Sequence, residues 1–368
     1  MPHQLKSFNS QAQLDYPEIY KLMAHEEDWV RYQPFLQERG YILRPRYRPG
    51  WVPESLLQGK NVWECEDSFP QFHRGILDAT RISDGVQVVL KMVDRMSAEI
   101  QIPELLSKHT EHGNPAIPVI DAFPIPDDAE RLFMVMPRMR DSTATPFFKT
   151  VREFVEFLQQ VLEGLVFLHS NNIAHLDICP SNVVVDSSTM IPGGFHFIDD
   201  STSDGLTYIT DRAKFPARVP FMNDRTTAGP LHYYFIDFSH SVRFPSFESR
   251  ELITGDDYEK STTQFIPEIS ATVPYDPFKV DVRMVGEMLR EDFISSYVGL
   301  EFVIPLVQKL LRRQPARRPD ATETLKIFER LVLNLSEKQL DQRLVFHRRT
   351  STAQQVWREV ALLFKGVL

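Results

Sequence analysis

Cysteines are few, and basic clusters and long apolar runs are missing from this chain of 368 residues. The two cysteines, Cys65 and Cys179, are too few for a disulfide framework or a cysteine-rich metal cluster, which favours a reducing compartment. No apolar stretch is long enough to cross a bilayer, and the first residues lack the apolar core of a secretory signal peptide. We therefore expect a cytoplasmic protein, with the nucleus as the alternative, and no membrane partner.

Charge and composition narrow the partners further. The net charge is −9 without any block of Lys and Arg, so nucleic acid is not expected as a partner. Apolar residues make up 42% of the chain and charged residues 25%, as is usual for a globular protein. A chain of this length can bury a large core, in one two-lobed unit or in two domains.

One polar stretch, residues 175–182, lies between a predicted helix and a predicted strand. It reads His-Leu-Asp-Ile-Cys-Pro-Ser-Asn. It follows residues 150–170, whose apolar positions repeat with a helical period, and it precedes three valines at 183–185. In a tight loop Asp177 and Asn182 can converge on one point, where the Asp orients a substrate hydroxyl and the Asn holds a metal ion. The competing interpretation is an ordinary polar loop, because His, Asp and Asn are common turn residues.

This stretch resembles the catalytic loop of protein kinases, H-R-D-x-x-x-x-N. Residues 88–91, Val-Val-Leu-Lys, resemble the V-A-I-K strand whose lysine, here Lys91, holds the α- and β-phosphates of ATP. A helix predicted at 97–108 carries Glu99 as the expected partner of Lys91, with Glu104 as the alternative. Because Glu99 follows Lys91 by only eight positions, this helix is expected to be short.

The segment after this helix resembles the kinase hinge. Residues 132–139 form an apolar strand that runs into a proline-containing connector. The resemblance implies that Met136 and Met139 lie beside the adenine of ATP.

A second metal ligand is expected much later in the chain. Residues 233–239, Tyr-Tyr-Phe-Ile-Asp-Phe-Ser, resemble the strand and D-F-G motif whose aspartate, here Asp237, binds Mg²⁺. Asp237 follows Asp177 by 60 residues, so residues 187–231 are interpreted as a surface insertion. Asp199, inside that insertion, is the alternative metal ligand.

Three late motifs resemble the elements that stabilise the large lobe of a kinase. Residues 266–268, Ile-Pro-Glu, resemble the A-P-E motif, and residues 315–319 resemble the D-P-x-x-R-P turn. The resemblance implies a buried ion pair between Glu268 and Arg318. It also implies that Asp281, at the start of the central helix, braces the catalytic loop.

Together the motifs resemble the eukaryotic protein-kinase-like superfamily across residues 88–319. The implied fold is α+β and two-lobed, with a small β-rich N-lobe and a larger helical C-lobe. The hairpin around residues 77–85, the insertion and residues 275–282 are together similar to kinase-domain proteins of mushroom-type fungi. The expected parts are an N-terminal extension or strap at 1–60, the N-lobe at 61–139, the C-lobe with its insertion at 140–345, and a helical tail at 346–368.

Four features depart from the kinase pattern. The region ahead of Lys91 lacks a G-x-G-x-x-G loop, which predicts weak contacts to the phosphates. Cys179 stands where Ser/Thr kinases usually have a lysine, and we expect it to be a small, inert residue. Ser239 replaces the glycine of D-F-G. Leu176 replaces the arginine that binds a phosphate on the activation segment, so we expect activity to be independent of phosphorylation there.

Three functions remain open at this point. The first is an ATP- and Mg²⁺-dependent protein kinase with weakened activity, acting on Ser or Thr before Tyr. The second is a pseudokinase scaffold that binds partner proteins with little or no phosphotransfer. The third is a small-molecule phosphotransferase, against which the residues Glu268, Asp281 and Arg318 argue, because the resemblance assigns them to a protein-substrate architecture.

Overall fold

The described part of the chain combines helices with antiparallel sheets, which places it in the α+β class. The chain divides into two compact units, which are described separately below. Unit 1 comprises residues 1–100, 118–139 and 187–223, and unit 2 comprises residues 101–117, 140–186 and 224–368. The computed structural model describes residues 19–62, 65–68, 70–71, 73–108, 113–144, 146–198, 223–255 and 266–346.

Unit 1 is built on a five-stranded antiparallel sheet in the order β1-β2-β3-β5-β4. Strands β2 and β3 form the hairpin expected around residues 77–85. Gly85 permits its turn, since it adopts φ +74°, which favours glycine. The strands are β1 Tyr41–Leu43, β2 Ile76–Arg81, β3 Gln87–Asp94, β4 Asp121–Ile125 and β5 Asp128–Pro137.

Helix α1, Ala24–Glu38, covers one face of this sheet. Its Trp29 and Tyr32 pack on Phe133 of β5, with ring centroids 5.8 and 5.5 Å apart. Burying such a side chain contributes roughly 1.5–3 kcal/mol, so this aromatic layer is a main source of stability for unit 1. Because side chains alternate along a strand, the other face of the sheet carries a different set of residues, including Lys91.

The N-terminal part of the chain differs from the strap that the sequence predicts at 1–60. In its described part, β1 is an edge strand of the sheet, and α1 contributes to the same core. A strand of three residues is too short to show alternation in a sequence, so it could not be recognised. Between β1 and β2 the chain forms a 3-10 turn at Pro45–Tyr47, helix α2 at Glu54–Gln58 and a second 3-10 turn at Glu66–Ser68.

Helix α3, Ala98–Leu106, is short as expected and spans nine residues instead of the twelve predicted at 97–108. It begins four residues after β3 ends at Asp94. Ile100 and Leu106 are buried, whereas Glu104 is exposed.

Unit 2 is mainly helical and is organised around α4, Val151–Ser170. Thr150 caps the helix by accepting a hydrogen bond from Glu153 N, and the apolar stripe predicted from the sequence is buried. Gly286 allows close helix packing, since a Cβ there would lie 2.8 Å from Leu310 Cβ. Within the described ranges, no helix is both long and apolar enough to cross a membrane. The other helices are α5 Pro277–Met288, α6 Ile304–Leu310, α7 Ala321–Leu333 and α8 Glu337–Leu340.

Small antiparallel sheets in unit 2 flank the loop at 175–182 and the residues around Asp237. Strands β6, β8 and β9 form one sheet, whereas β7–β10, β11–β12 and β13–β14 form pairs. The predicted helical tail after residue 346 lies outside the described residues. The strands are β6 Arg140–Asp141, β7 Ile173–Ala174, β8 Val183–Val185, β9 Tyr233–Phe235, β10 Val242–Arg243, β11 Ile253–Gly255, β12 Ser270–Tyr275, β13 Tyr297–Val298 and β14 Val345–Phe346.

Candidate active site

The pairing of β8 with β9 brings Asp237 to the loop at 175–182, which is named the catalytic loop after the kinase motif that it resembles. Val183 lies opposite Phe235, and Ile236 N donates a hydrogen bond of 3.0 Å to the carbonyl of Asn182. Asp237 is the next residue. Antiparallel pairing therefore brings Asp237 close to Asn182, although the insertion separates them in the sequence. The rival ligand Asp199 lies outside the described residues.

Asn182 and Asp177 are joined directly within the catalytic loop. Asn182 Nδ2 donates to the Asp177 carbonyl at 2.9 Å and to Asp177 Oδ2 at 2.8 Å. Because the amide nitrogen is used in these bonds, Oδ1 is the Asn182 atom suited to a cation. Together with the carboxylate of Asp237, this gives an all-oxygen donor set, which fits Mg²⁺.

Asp237 adopts a left-handed backbone conformation, which is uncommon outside glycine although aspartate adopts it more often than most residues. Its φ is +62°, and a 3-10 turn at Phe238–His240 follows at once. A left-handed residue other than glycine costs about 1–2 kcal/mol and persists only when its surroundings hold it. Here Phe238 is fully buried, with its ring centroid 4.8 Å from that of His175. Such strain at a candidate metal ligand is typical of a functional position.

Asp281 holds the start of the catalytic loop. Its buried carboxylate accepts hydrogen bonds from His175 N at 2.8 Å and from Leu176 N at 2.7 Å. His169 Nε2 lies 2.9 Å from the same carboxylate. Leu176 has φ +63°, so these two bonds fix a strained backbone turn directly before Asp177. The structure thus places Asp281 where the resemblance implies a brace.

His175 connects the catalytic loop to the residue before Asp237. Its Nδ1 accepts from Asp177 N, and its Nε2 donates to the carbonyl of Ile236, both at 3.2 Å. Burial lowers the pKa of His175, which keeps the ring neutral and is consistent with one nitrogen donating and the other accepting. The sequence motif includes this histidine but does not indicate its role.

Lys91 and Glu99 meet in unit 1. Lys91 Nζ lies 2.5 Å from Glu99 Oε1. The short spacing suffices because β3 ends three residues after Lys91 and Glu99 sits in the first turn of α3. The exposed Glu104 is therefore not needed as a partner. Glu99 is buried, so the pair holds the ammonium group in one place on the sheet.

The same sheet face carries Met136 next to Lys91. Val89 lies opposite Met136, and cross-strand partners share a face of the sheet. Lys91 is two residues after Val89 on the same strand, so it also lies on that face. Met136 is buried, and Met139 is partly buried in the connector after β5. Asp78 lies opposite Val89 on the neighbouring strand and faces the same way.

Asp78 belongs to a buried polar cluster that the sequence did not reveal. Arg44 Nε lies 2.8 Å from Asp78 Oδ1, and Arg44 Nη1 lies 2.7 Å from Glu66 Oε1. His196 Nε2 lies 3.0 Å from the same Glu66 oxygen. Burial alone raises the pKa of Glu66, but the hydrogen bonds from His196 and Arg44 outweigh it and lower the pKa to about 2. These four residues are called the Arg44 cluster.

The prediction that residues 187–231 form a surface insertion is wrong for their described beginning. Met190, Ile191 and Phe195 are buried, as is His196 of the Arg44 cluster. The Arg138 guanidinium lies 4.6 Å from the centre of the Phe195 ring. These apolar residues are spaced without a helix or strand period, so the sequence did not indicate their burial.

Glu268 and Arg318 form the ion pair that the resemblance implies. Glu268 Oε1 contacts Arg318 Nη1, which also donates to the carbonyl of Lys279 at 2.9 Å. Arg318 Nε donates to the carbonyl of Arg312 at 2.8 Å. The Arg318 side chain is fully buried, so it ties three segments of unit 2 together.

Cys179 has the environment of an unreactive thiol. It is buried, and its Sγ lies 3.1 Å from Ser181 Oγ. Burial raises the pKa of the thiol, so the nucleophilic thiolate is disfavoured. The side chain adds no positive charge to the catalytic loop.

The relatives of this chain described here are all named as protein kinases. No protein-family model matches the chain. A protein of Acanthamoeba polyphaga mimivirus, provisionally named a serine/threonine-protein kinase, is 26% identical over 255 residues, which cover 64% of this chain and 82% of the relative. Mitogen-activated protein kinase 13 of Arabidopsis thaliana is 22% identical over 67% of this chain and 73% of its own length. Serine/threonine-protein kinase PLK4 of Danio rerio is 22% identical over 73% of this chain but only 26% of its own length. At this low identity, the similarities support a protein-kinase-like superfamily for the chain.

Proposed function

We propose that the protein is a Mg²⁺-dependent protein kinase that transfers the γ-phosphate of ATP to a Ser or Thr hydroxyl of a protein. The observation that carries this proposal is the joined pair Asp177 and Asn182 beside Asp237, braced by the buried carboxylate of Asp281. A loop that serves only as a surface turn has no need of a buried aspartate under a strained backbone.

Each residue has a role that follows from its chemistry. In unit 1, Lys91, held by Glu99, orients the α- and β-phosphates of ATP. In unit 2, Asn182 and Asp237 hold Mg²⁺, which neutralises charge on the phosphates. Asp177 accepts the proton of the substrate hydroxyl. The contribution of the protein is positioning and charge stabilisation.

Two features support weakened rather than full activity. The chain between β1 and β2 contains short helices and turns in place of a glycine-rich loop, so fewer backbone N–H groups can approach the phosphates. Cys179 offers a neutral thiol where a lysine would meet the γ-phosphate. We therefore expect slow turnover, with Ser and Thr substrates preferred over Tyr.

A phosphotransfer assay with a matched pair of variants tests the proposal. The purified full chain is incubated with γ-labelled ATP, Mg²⁺ and a mixture of protein substrates, and the labelled residues are identified by mass spectrometry. Lys91→Met should lower transfer by about tenfold or more, because it removes the phosphate contact. Lys108→Met, which alters an exposed lysine after α3, should leave transfer unchanged. Equal transfer by both variants would contradict the role of Lys91.

A second candidate function, a pseudokinase scaffold, is favoured by the Arg44 cluster. Asp78 is buried and faces the same way as Lys91 and Met136, where the adenine is expected. A buried carboxylate paired with arginine at this position leaves less apolar surface for a purine. In this reading the protein keeps the fold and binds partner proteins without turning over ATP.

Nucleotide binding separates the two candidates. We propose to compare the wild type with the double variant Phe195→Ala/His196→Ala, which removes the insertion residues from Arg138 and Glu66. Leu333→Ala, at an exposed position in α7, is the control. Mg·ATP binding by the wild type supports the kinase. Mg·ATP binding by the double variant but not by the wild type supports the scaffold, because it would mean that Phe195 and His196 cover the nucleotide surface in the wild type.

Several finer predictions stay predictions. They concern the two-lobed arrangement, the domain boundaries, the resemblance to proteins of mushroom-type fungi, the cytoplasmic location and the lack of a nucleic-acid partner. The ion pair of Glu268 with Arg318 supports a protein substrate over a small molecule, because the resemblance assigns that pair to the platform for protein substrates.

A further inference from the structure

Residues 241–250, called the anchored segment, follow Asp237 and lie against the chain that leads into the catalytic loop. Strand β10 of the segment pairs with β7, which directly precedes His175. Phe244 N donates to the carbonyl of Asn172 at 2.9 Å. Ser241 Oγ donates to the carbonyl of His175, also at 2.9 Å. These contacts keep the segment close to the catalytic loop over its first half.

Arg250 holds the other end of the anchored segment. Its Nε donates to Asn172 Oδ1 at 3.0 Å, and its Nη2 donates to the carbonyl of His169. The guanidinium also stacks on aromatic rings, 4.0 Å from the centre of Phe278 and 4.8 Å from that of Phe247. Both acceptors lie at the C-terminal end of α4, where exposed carbonyls favour a cation. Cation–π contacts add to this attraction.

The two acceptors of Arg250 are themselves connected to the catalytic loop. The ring of His169 contacts Asp281, which holds His175 N and Leu176 N. Asn172 has φ +59° and is the residue directly before β7. Asparagine is one of the residues that adopt this left-handed conformation after a helix, and Arg250 binds the Asn172 side chain. The position of Arg250 therefore affects both the segment and the entrance to the loop.

The charge that orders the segment comes from the segment itself. With Leu176 in place of an arginine, the catalytic loop offers no cation at that position to a phosphate on the segment. Arg250 reverses this arrangement, because the cation is on the segment and its acceptors are His169 at the end of α4 and Asn172 just after it. Its planar fork makes two hydrogen bonds while it stacks, which a lysine cannot do.

We propose that Arg250 is a positioning residue that fixes the anchored segment and the entrance to the catalytic loop without any phosphate. This inference rests on the proposed phosphotransfer function, and it explains how the segment is ordered for catalysis. It predicts that turnover survives dephosphorylation but not the loss of the Arg250 fork.

Amide hydrogen exchange of the full chain tests the anchor without any need for catalysis. In Arg250→Met, amides of the anchored segment should exchange about tenfold faster than in the wild type, while those of α7 stay unchanged. Arg250→Lys should lie between the two, because it keeps the charge but loses the fork. Arg243→Met alters an exposed arginine of the same segment and should exchange like the wild type. Unchanged exchange in Arg250→Met would overturn the proposal.

Steady-state kinetics after exhaustive phosphatase treatment test the catalytic consequence. The wild type should keep its kcat within about twofold, whereas Arg250→Met should lose about tenfold in kcat with KM for Mg·ATP unchanged. A tenfold loss in the wild type that follows the removal of phosphate would overturn the proposal. A wild type that transfers no phosphate at all contradicts the proposed function instead, and the exchange experiment still decides whether Arg250 is the anchor.

Discussion

The catalytic loop of unit 2 and the lysine-bearing sheet face of unit 1 match the kinase pattern to different degrees. In the loop, Asp177 and Asn182 are joined, and Asp281 and His175 hold the backbone around them. On the sheet face, the ion pair of Lys91 is present, but the Arg44 cluster lies on the same side of the sheet. The backbone around the proposed metal ligands and proton acceptor is braced, whereas the sheet face proposed for the nucleotide carries an additional charged cluster.

The largest expected effect is a loss of stability when the buried ion pair of Glu268 with Arg318 in unit 2 is removed. Arg318→Ala should lower the free energy of unfolding by roughly 3–5 kcal/mol, because it leaves the Glu268 carboxylate and two backbone carbonyls without their buried partner. The midpoint of denaturant unfolding, followed by circular dichroism, measures the loss. Arg317→Ala, at the exposed neighbouring position, is the control and should unfold like the wild type. A normal midpoint for Arg318→Ala would mean that the pair is not structural.

The brace under the catalytic loop should have the next largest effect. Asp281→Ala leaves His175 N and Leu176 N buried without an acceptor, which should cost on the order of 3 kcal/mol. Asp281→Asn keeps one accepting oxygen, so a smaller loss is expected. Denaturant unfolding of both variants gives the two values. Equal stability of Asp281→Ala and the wild type would show that Asp281 does not stabilise the catalytic loop.

The proposed metal ligands, Asn182 and Asp237, give a prediction about the binding of ATP and Mg²⁺. The melting temperature should rise on addition of ATP, and more so with Mg²⁺, because Asn182 and Asp237 offer oxygen ligands. Asp237→Asn should abolish only the Mg²⁺-dependent part of the rise. A thermal-shift titration with and without Mg²⁺ measures both parts. If the variant kept the full Mg²⁺-dependent rise, Asp237 would not be a metal ligand.

Acid should weaken the two regions in different pH ranges. Burial lowers the pKa of His175 below its usual 6.5, so the unfolded chain takes up the proton first. The stability that the neutral ring contributes is present above about pH 6.5 and falls by up to roughly 1.4 kcal/mol per pH unit below it. For Glu66, whose pKa is lowered to about 2, the contribution is lost only between about pH 4.5 and 2.

Two variants separate these ranges. His175→Gln should flatten the fall in unfolding free energy between pH 6.5 and 5. Glu66→Gln should leave that range unchanged and flatten the fall below pH 4.5. Urea unfolding at a series of pH values is the measurement, and identical slopes for His175→Gln and the wild type would contradict a buried neutral ring.

The sequence predicts the parts of the molecule in which a short pattern carries the information. Helix α4, the short α3 with Glu99 and the hairpin before Lys91 could be predicted from periodicity, spacing and turn residues. The resemblance identified Asp237 as a candidate metal ligand although it follows Asp177 by 60 residues, and the structure pairs β8 with β9 directly before it.

Other features depend on contacts between distant segments, which a sequence pattern does not record. The Arg44 cluster joins residues from four separate segments, and Arg250 finds its acceptors at the end of α4. Strand β1 has three residues and is recognisable only by its pairing with β2. The buried start of the insertion shows no period at all. In each case tertiary packing, not local propensity, determines the structure.

The most direct test of the central claim is phosphate transfer by the wild type and by Asp177→Asn. The substitution keeps the size of the side chain but removes the carboxylate that accepts the hydroxyl proton. With saturating Mg·ATP and a protein substrate, we expect measurable transfer to Ser or Thr by the wild type and a loss of about a hundredfold in kcat for Asp177→Asn, without loss of ATP binding. Equal transfer by the two proteins, or none by a wild type that binds Mg·ATP, would contradict the assignment of this loop as the catalytic loop of a protein kinase.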